Sequence, residues 1–166
     1  MNTLVLMRHA KAETERGLGD FQRALAPRGR KQAASFGEQL AEVAGPFDVA
    51  LVSGALRTRE TYRLLAGSSP AYPTPRVIED LYETTARQLM DSLKELGTPH
   101  HRVIVVGHEP VMSTLAYMLH DAQDKFAQQI SMGIATATAV VLDVPVPWRQ
   151  LDRNRAHVRA VLRPDE

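Results

Sequence analysis

Short apolar runs rich in Val, Leu and Ile alternate along this chain with stretches whose apolar residues recur at helical spacing, and no other feature of the sequence limits the fold as tightly. The strand-like runs fall at residues 3–7, 48–52, 102–106 and 137–144, with shorter candidates near 76–79 and 156–162. Helical patterns occupy about 29–43, 56–66, 87–96 and 111–119. Strands that are apolar on both faces need helices on both sides, so the pattern predicts a three-layer α/β/α sandwich around a mostly parallel central sheet. The connections 46–47, 67–75 and 97–101 are turn-rich but short, and there is no repeat, low-complexity stretch or linker to divide the chain. The 166 residues therefore read as a single domain spanning 1–166, long enough to bury about 70% of the unfolded surface in one core.

Composition enters through what it excludes. With 44% hydrophobic and 23% charged residues and a formal net charge of +1, the chain has no strong field for nucleic acid or anionic lipid, and neither is expected as a partner. The absence of cysteine rules out disulfides, thiolate zinc sites and cysteine nucleophiles, and with them the cysteine-dependent phosphatases. The start "MNTLVLMRHAK" has no basic segment before its apolar run and no small-residue cleavage site after it, so it is not read as a signal peptide. No apolar stretch approaches membrane-spanning length. A soluble, cytoplasmic protein is expected.

Three strand-to-helix junctions each carry a group suited to phosphate. "TLVLM" runs into Arg8 and His9, "DVALV" into "SGALRTRET" with Arg57 one turn into the helix, and "RVIVV" into "GHEP" with His108 just before a helix. The carboxyl ends of parallel strands share one edge of a sheet, the edge where such folds bind ligands, so residues far apart in the chain converge there. Two guanidiniums, charged at any relevant pH, can fork onto phosphoryl oxygens and neutralise their charge. Helix N-termini after Ser53 and His108 add amide donors. One imidazole with a free lone pair can attack phosphorus while a second, protonated, stabilises the transferring group. That is phosphatase chemistry with neither metal nor thiol.

Blander readings exist for each residue singly. An Arg-His pair at a strand end can be a solvated edge, His108 can merely precede a helix that accepts Pro110 in its first turn, and Arg57 can be one more surface charge beside Arg59, Glu60 and Arg63. The same coincidence at three junctions is much harder to obtain by chance. Other motifs fail on inspection. "HEPVM" has Met112 where a zinc-protease helix needs its second histidine, His100 and His101 have no third ligand, and the Arg28, Arg30, Lys31 cluster lacks interleaved aromatics. "GLGDF", at residues 17–21, lacks the strand and third glycine of a dinucleotide fingerprint.

Taken in order, "LMRHAKAE", "DFQRALAPRGRKQA", "LVSGALRTRET" and "VIVVGHEPVMSTLA" resemble the motifs of the histidine phosphatase superfamily, phosphoglycerate mutase-like in fold, and within it the short SixA-type phosphohistidine phosphatase branch. The resemblance covers most of the chain and weakens after about Leu119. It implies that His9 is the phosphorylated nucleophile, that Arg8 and Arg57 bind the phosphoryl group and that His108 completes the pocket. Ala10 stands where the commoner motif has glycine, as the SixA-type branch often accepts. Many superfamily members place a glutamate two residues after a leucine in mid-chain, a spacing matched by Leu81, Tyr82 and Glu83. Glu83 is thus either the general acid or a solvated loop acid, since an imidazole leaving group can depart already protonated.

The resemblance implies a metal-independent phosphatase, without cofactor, that dephosphorylates phosphohistidine on a partner protein and lacks the large cap insertion of metabolite-acting relatives. Two alternatives stand beside it: a phosphomonoesterase or mutase acting on a small phosphorylated substrate, and a phosphate-binding or interaction domain without turnover. Oligomeric state, pathway and the physiological substrate are not legible in the sequence.

Overall fold

Leu4, Val5, Leu6 and Met7 are all fully buried, yet they serve two different cores. Leu4 and Leu6 pack with Leu89, Leu93, Val103, Val105 and Leu115, whereas Val5 and Met7 pack with Phe36, Leu40, Leu65, Ile104 and Val106. Side chains alternate along a strand, so an unbroken apolar run is what a strand covered on both faces requires. Each such side chain contributes about 2 kcal/mol of burial free energy.

The computed structural model describes residues 1–165. In chain order the elements are β1 (Asn2–Arg8), α1 (Pro27–Ala44), β2 (Val49–Ser53), α2 (Leu56–Gly67), β3 (Arg76–Ile78), α3 (Ala86–Lys94), β4 (Arg102–Gly107), α4 (Val111–Leu119), α5 (Lys125–Ser131), β5 (Ala139–Val144) and β6 (His157–Leu162). Short 3-10 turns occupy Asp20–Gln22, Glu79–Glu83 and Trp148–Gln150. The strands form one sheet in the order β3-β2-β4-β1-β5-β6. β3, β2, β4 and β1 run parallel, β5 lies antiparallel to β1, and β6 antiparallel to β5. The residues of α1 and α2 cover one face, and those of α3, α4 and α5 the other, giving the expected three layers. Among the described residues no connection carries a large inserted segment, and no helix is long and apolar enough to cross a membrane.

Departures from the expected boundaries have local causes. α1 begins at Pro27 rather than at 29, because proline's fixed φ and missing N–H suit the first helical position. α5 was not anticipated by periodicity: its seven residues make only two turns, with the Asp124 side chain accepting from the Ala127 N–H at 3.0 Å to cap the start. β5 starts at Ala139 rather than 137, since Ala137 adopts φ 62°, outside extended geometry.

Candidate active site

Strand register assembles the site. Arg8 at the end of β1 lies opposite Gly107 at the end of β4, so His9 and His108 leave the sheet side by side. The His9 N–H donates to the Gly107 carbonyl at 3.1 Å, and the two rings stand 5.5 Å apart. β2 pairs with β4 at Val52 and Val106, which carries Ser53 to the same edge and Arg57 into place from the first turn of α2. Arg57 is 5% exposed and His9 7%, so both belong to the interior rather than to a solvated rim. The structure thus brings together Arg8, His9, Arg57 and His108 from three separate junctions.

Hydrogen-bond partners determine which ring nitrogens carry protons, since hydrogens are inferred from donors and acceptors. His9 Nδ1 lies 2.7 Å from the Ala10 carbonyl, which can only accept, so Nδ1 holds the proton. His9 Nε2 receives the Arg57 Nε–H at 3.3 Å, so it presents a lone pair. His108 Nδ1 faces Arg57 Nη2 at 3.5 Å and is likewise an acceptor, leaving its Nε2–H to donate to Ser53 Oγ at 2.8 Å. Burial, reinforced by the Arg57 charge, pushes His9 down to about 3 and His108 down to about 4. Desolvation and the Arg57 charge both oppose the imidazolium form of His108, so the protonated second histidine that the sequence chemistry expects is disfavoured here.

Arg8 is held from the opposite side. Its Nη1 donates to the Ile134 carbonyl at 3.0 Å, and Glu109 ties that segment down by accepting from the Ile134 N–H at 3.0 Å and the Ser113 N–H at 2.8 Å. The glutamate of "HEP" therefore anchors a loop over Arg8. The buried Arg8 Nε has no hydrogen-bond partner among the described residues. An unpaired buried guanidinium N–H is costly, so Arg8 gains from any shift that gives this donor an acceptor.

The segment between β1 and α1 reaches the same site, a contact that no spacing in the sequence announces. A bridge between Ala12 and Leu25 closes its neck, and the buried Glu60 grips the base, accepting from the Leu25 N–H at 2.9 Å and pairing with Arg30 at 2.6 Å. Gly17 and Gly19 turn the tip at φ 90° and 89°, conformations that glycine adopts without steric cost. Asp20 then lands on Arg57: Nη1 donates to its backbone carbonyl at 2.7 Å and Nη2 to its carboxylate Oδ2 at 3.0 Å. Tyr82 Oη donates to the same Oδ2 at 2.5 Å, its ring stands 5.5 Å from that of His108, and the Arg57 guanidinium lies 5.8 Å from its centroid. The Tyr82 bond, with those from Arg23 and Arg57, holds the Asp20 carboxyl well below the usual carboxylate range. The signal for Asp20 was present in "DFQRAL" as an acid three residues before a base, yet nothing local shows that a loop aspartate will meet a helix arginine.

Glu83 is not brought to this cluster. It is exposed and lines an acidic groove of about 540 Å³ with Glu79, Asp80 and Gln88, a groove that its neighbour Tyr82 also borders while its ring reaches to 5.5 Å from that of His108. The 3-10 geometry of Glu79–Glu83 sends consecutive side chains in different directions, so the motif spacing alone could not say which would face the histidines.

The histidine phosphatase superfamily (branch 1) matches residues 4–95, a span holding Arg8, His9, Asp20 and Arg57. An uncharacterized protein of Mycobacterium tuberculosis, Rv1276c, is 32% identical over 149 residues, 88% of this chain and 92% of its own. Among solved structures, a Nakamurella multipartitia protein assigned as the phosphohistidine phosphatase SixA superposes with a TM-score of 0.88 at 26% identity, covering 99% of this chain and 97% of that one. An Agrobacterium tumefaciens protein with the same assignment gives 0.80 at 25%, covering 98% of each chain. The chain belongs to the histidine phosphatase superfamily.

Proposed function

We propose that this protein is a metal-independent phosphatase that passes the phosphoryl group through His9 and acts on phosphohistidine borne by a protein. The observation that carries the reading is the committed tautomer of His9: its proton is held by the Ala10 carbonyl, and its Nε2 lone pair faces the Arg57 guanidinium. In the proposed first step the Nε2 lone pair forms a bond to phosphorus in line with the departing group. Arg57 Nε–H, at a long 3.3 Å from Nε2, turns from the ring to a phosphoryl oxygen, and the partly buried Arg8 guanidinium binds another. In the second step water attacks the phosphohistidine, the P–N pair returns to Nε2, and inorganic phosphate leaves. Arg8 and Arg57 supply the positive field that a metal ion would otherwise give. Glu83 takes no part in this scheme.

A protein substrate is favoured by the short connections around the site, which offer a small ester few contacts beyond its phosphate, and by the similarity in both fold and length to the SixA-assigned structures. A histidine-phosphorylated protein should be hydrolysed with kcat/KM at least about 100-fold above 3-phosphoglycerate or sugar phosphates, a difference of about 2.7 kcal/mol in transition-state binding. Rapid-quench kinetics should show a burst of acid-labile, enzyme-bound phosphate before steady release. Full activity is expected after exhaustive chelation. A metabolite that outperforms every phosphohistidine protein would move the assignment to a small-molecule phosphatase, and stoichiometric binding without release would make the chain a phosphate-binding domain.

A further inference from the structure

Exposure rises from His9 to the solvent along a single line of contacts. His9 and Arg57 are almost fully buried, while the Asp20 side chain that meets Arg57 is 46% exposed. On the exposed side of Arg57 and His108 stand the Asp20 carboxylate, 3.0 Å from Arg57 Nη2, and the Tyr82 ring, 5.5 Å from that of His108, so a group departing on that side has both beside it. Neither residue suits a phosphoryl group, since a carboxylate repels it and a phenyl face is electron-rich. Both suit a cation with an N–H to donate.

We propose that Asp20 and Tyr82 form the leaving-group subsite, in which the Asp20 carboxylate accepts the free N–H of a phosphoimidazolium and the Tyr82 ring packs against that ring. The proposal rests on the phosphohistidine reading and deepens it, because it makes the site selective for phosphoramidates over phosphate esters. Phosphohistidine carries the phosphoryl group on one ring nitrogen and can carry a proton on the other. When His9 Nε2 bonds to phosphorus, the old P–N bond breaks and its electron pair stays on the substrate nitrogen. The other nitrogen keeps its proton, and a neutral imidazole departs with no proton transfer. His9, protonated at Nδ1, becomes a phosphoimidazolium whose N–H remains on the Ala10 carbonyl. Water then bonds to phosphorus, the P–N pair returns to Nε2, and dihydrogen phosphate leaves with both water protons.

The carboxylate is built to remain charged in that position. Arg57, Arg23 at 2.7 Å and Tyr82 all direct donors at it, and among the described residues His108 also faces its charge. Tyr82 is in turn fixed by an edge contact with Phe21, centroids 4.9 Å apart, so the 3-10 turn carrying Asp20 and the one carrying Tyr82 lock together across the site. An acid meant to protonate an alkoxide would need the opposite environment.

The test compares Asp20→Asn and Tyr82→Leu with the unmodified protein on two probes: a phosphohistidine peptide and p-nitrophenyl phosphate, an aryl ester whose leaving group needs no N–H acceptor. Asp20→Asn should lower the peptide-to-ester ratio of kcat/KM about thirtyfold, the scale of a lost charge-assisted hydrogen bond to the leaving imidazole, with any loss common to both probes reporting its bonds to Arg57. Its alkaline limb on the peptide should move to lower pH, because the bound phosphoimidazolium loses the carboxylate that keeps it protonated. Tyr82→Leu should show the same selectivity with a smaller loss. Equal losses on both probes would mean that Asp20 only orients Arg57, and a gain on both would make it an inhibitory latch; either result overturns the proposal. If the unmodified protein fails to hydrolyse the peptide while hydrolysing esters, the phosphohistidine reading itself falls.

Discussion

Two pairs of histidines stand at similar ring separations in this molecule, His9 with His108 at 5.5 Å and His120 with His157 at 5.2 Å, but their surroundings differ in sign. The first pair faces the guanidiniums of Arg8 and Arg57, and burial keeps both rings neutral. The second faces Asp121 and Asp124. His120 is 1% exposed and both its nitrogens are committed: Nε2–H donates to Asp124 at 2.9 Å, and Nδ1 accepts the Val158 N–H at 2.9 Å. His157 pairs with Asp121 at 2.7 Å, and that bond raises its pKa. His120 thereby ties the end of α4, the capping aspartate of α5 and strand β6 into one unit. Atoms of His120, Asp121 and His157 lie within 4.8 Å of one another, close enough to suggest a metal, yet the His120 Nδ1 lone pair is already spent on a backbone amide.

The contrast shows what makes an imidazole useful toward phosphate. His9 Nε2 also accepts a hydrogen bond, but from a guanidinium at a long distance, and that donor has an alternative acceptor once a phosphoryl group arrives. A backbone amide in a strand has no such freedom.

His9→Ala makes the sharpest separation between the pairs. It should abolish phosphoenzyme labelling and lower turnover at least about 1,000-fold, with the fold retained by circular dichroism. Substantial activity in the pure, folded variant would sink the mechanism. His120→Ala should do the reverse, costing about 2 kcal/mol in chemical denaturation through the orphaned Asp124 and Val158 groups, with kcat/KM within about threefold of normal. A large kinetic defect without loss of stability would place His120 in the reaction pathway and break the comparison.

The pairs should also differ in their dependence on pH. The lowered pKa values of His9 and His108 mean that the unfolded chain binds protons the folded chain does not. Their contribution to stability is therefore complete above the ordinary histidine value of 6.5 and is lost as pH falls toward about 4. His157, raised above the ordinary value, contributes below 6.5 and loses that contribution as pH rises through its folded value. Urea midpoints measured from about pH 7 down to about pH 5 should fall less steeply for His9→Ala with His108→Ala than for the unmodified chain, and more steeply for His157→Ala. Parallel curves for all three would remove the electrostatic distinction. The smallest effect is expected from Glu83→Gln, which should change phosphohistidine hydrolysis by less than about twofold, as a residue outside the site does. A tenfold loss would restore Glu83 as the acid.

The α/β layering, the mostly parallel sheet and the convergence of Arg8, His9, Arg57 and His108 were legible because each depends on order along the chain. Apolar runs such as Leu4, Val5, Leu6 and Met7 declare strands with two covered faces, and the residue after such a strand must emerge at the sheet's carboxyl edge. Register then needs only parallel pairing to bring His9 beside His108. Nothing equivalent announces Asp20, Tyr82 or the His120 tie. Asp20 reaches Arg57 through a loop whose path depends on Gly17, Gly19 and the grip of Glu60 on its base. Whether Tyr82 or Glu83 faces the histidines depends on the rotation of a 3-10 turn, and the neutrality of His108 depends on how deeply packing buries it. Residue type and spacing set what a backbone edge can present, because strand and helix periods are local properties. Which loop side chain completes the site, and which proton an imidazole keeps, follow from distances and desolvation that exist only once the chain has closed on itself.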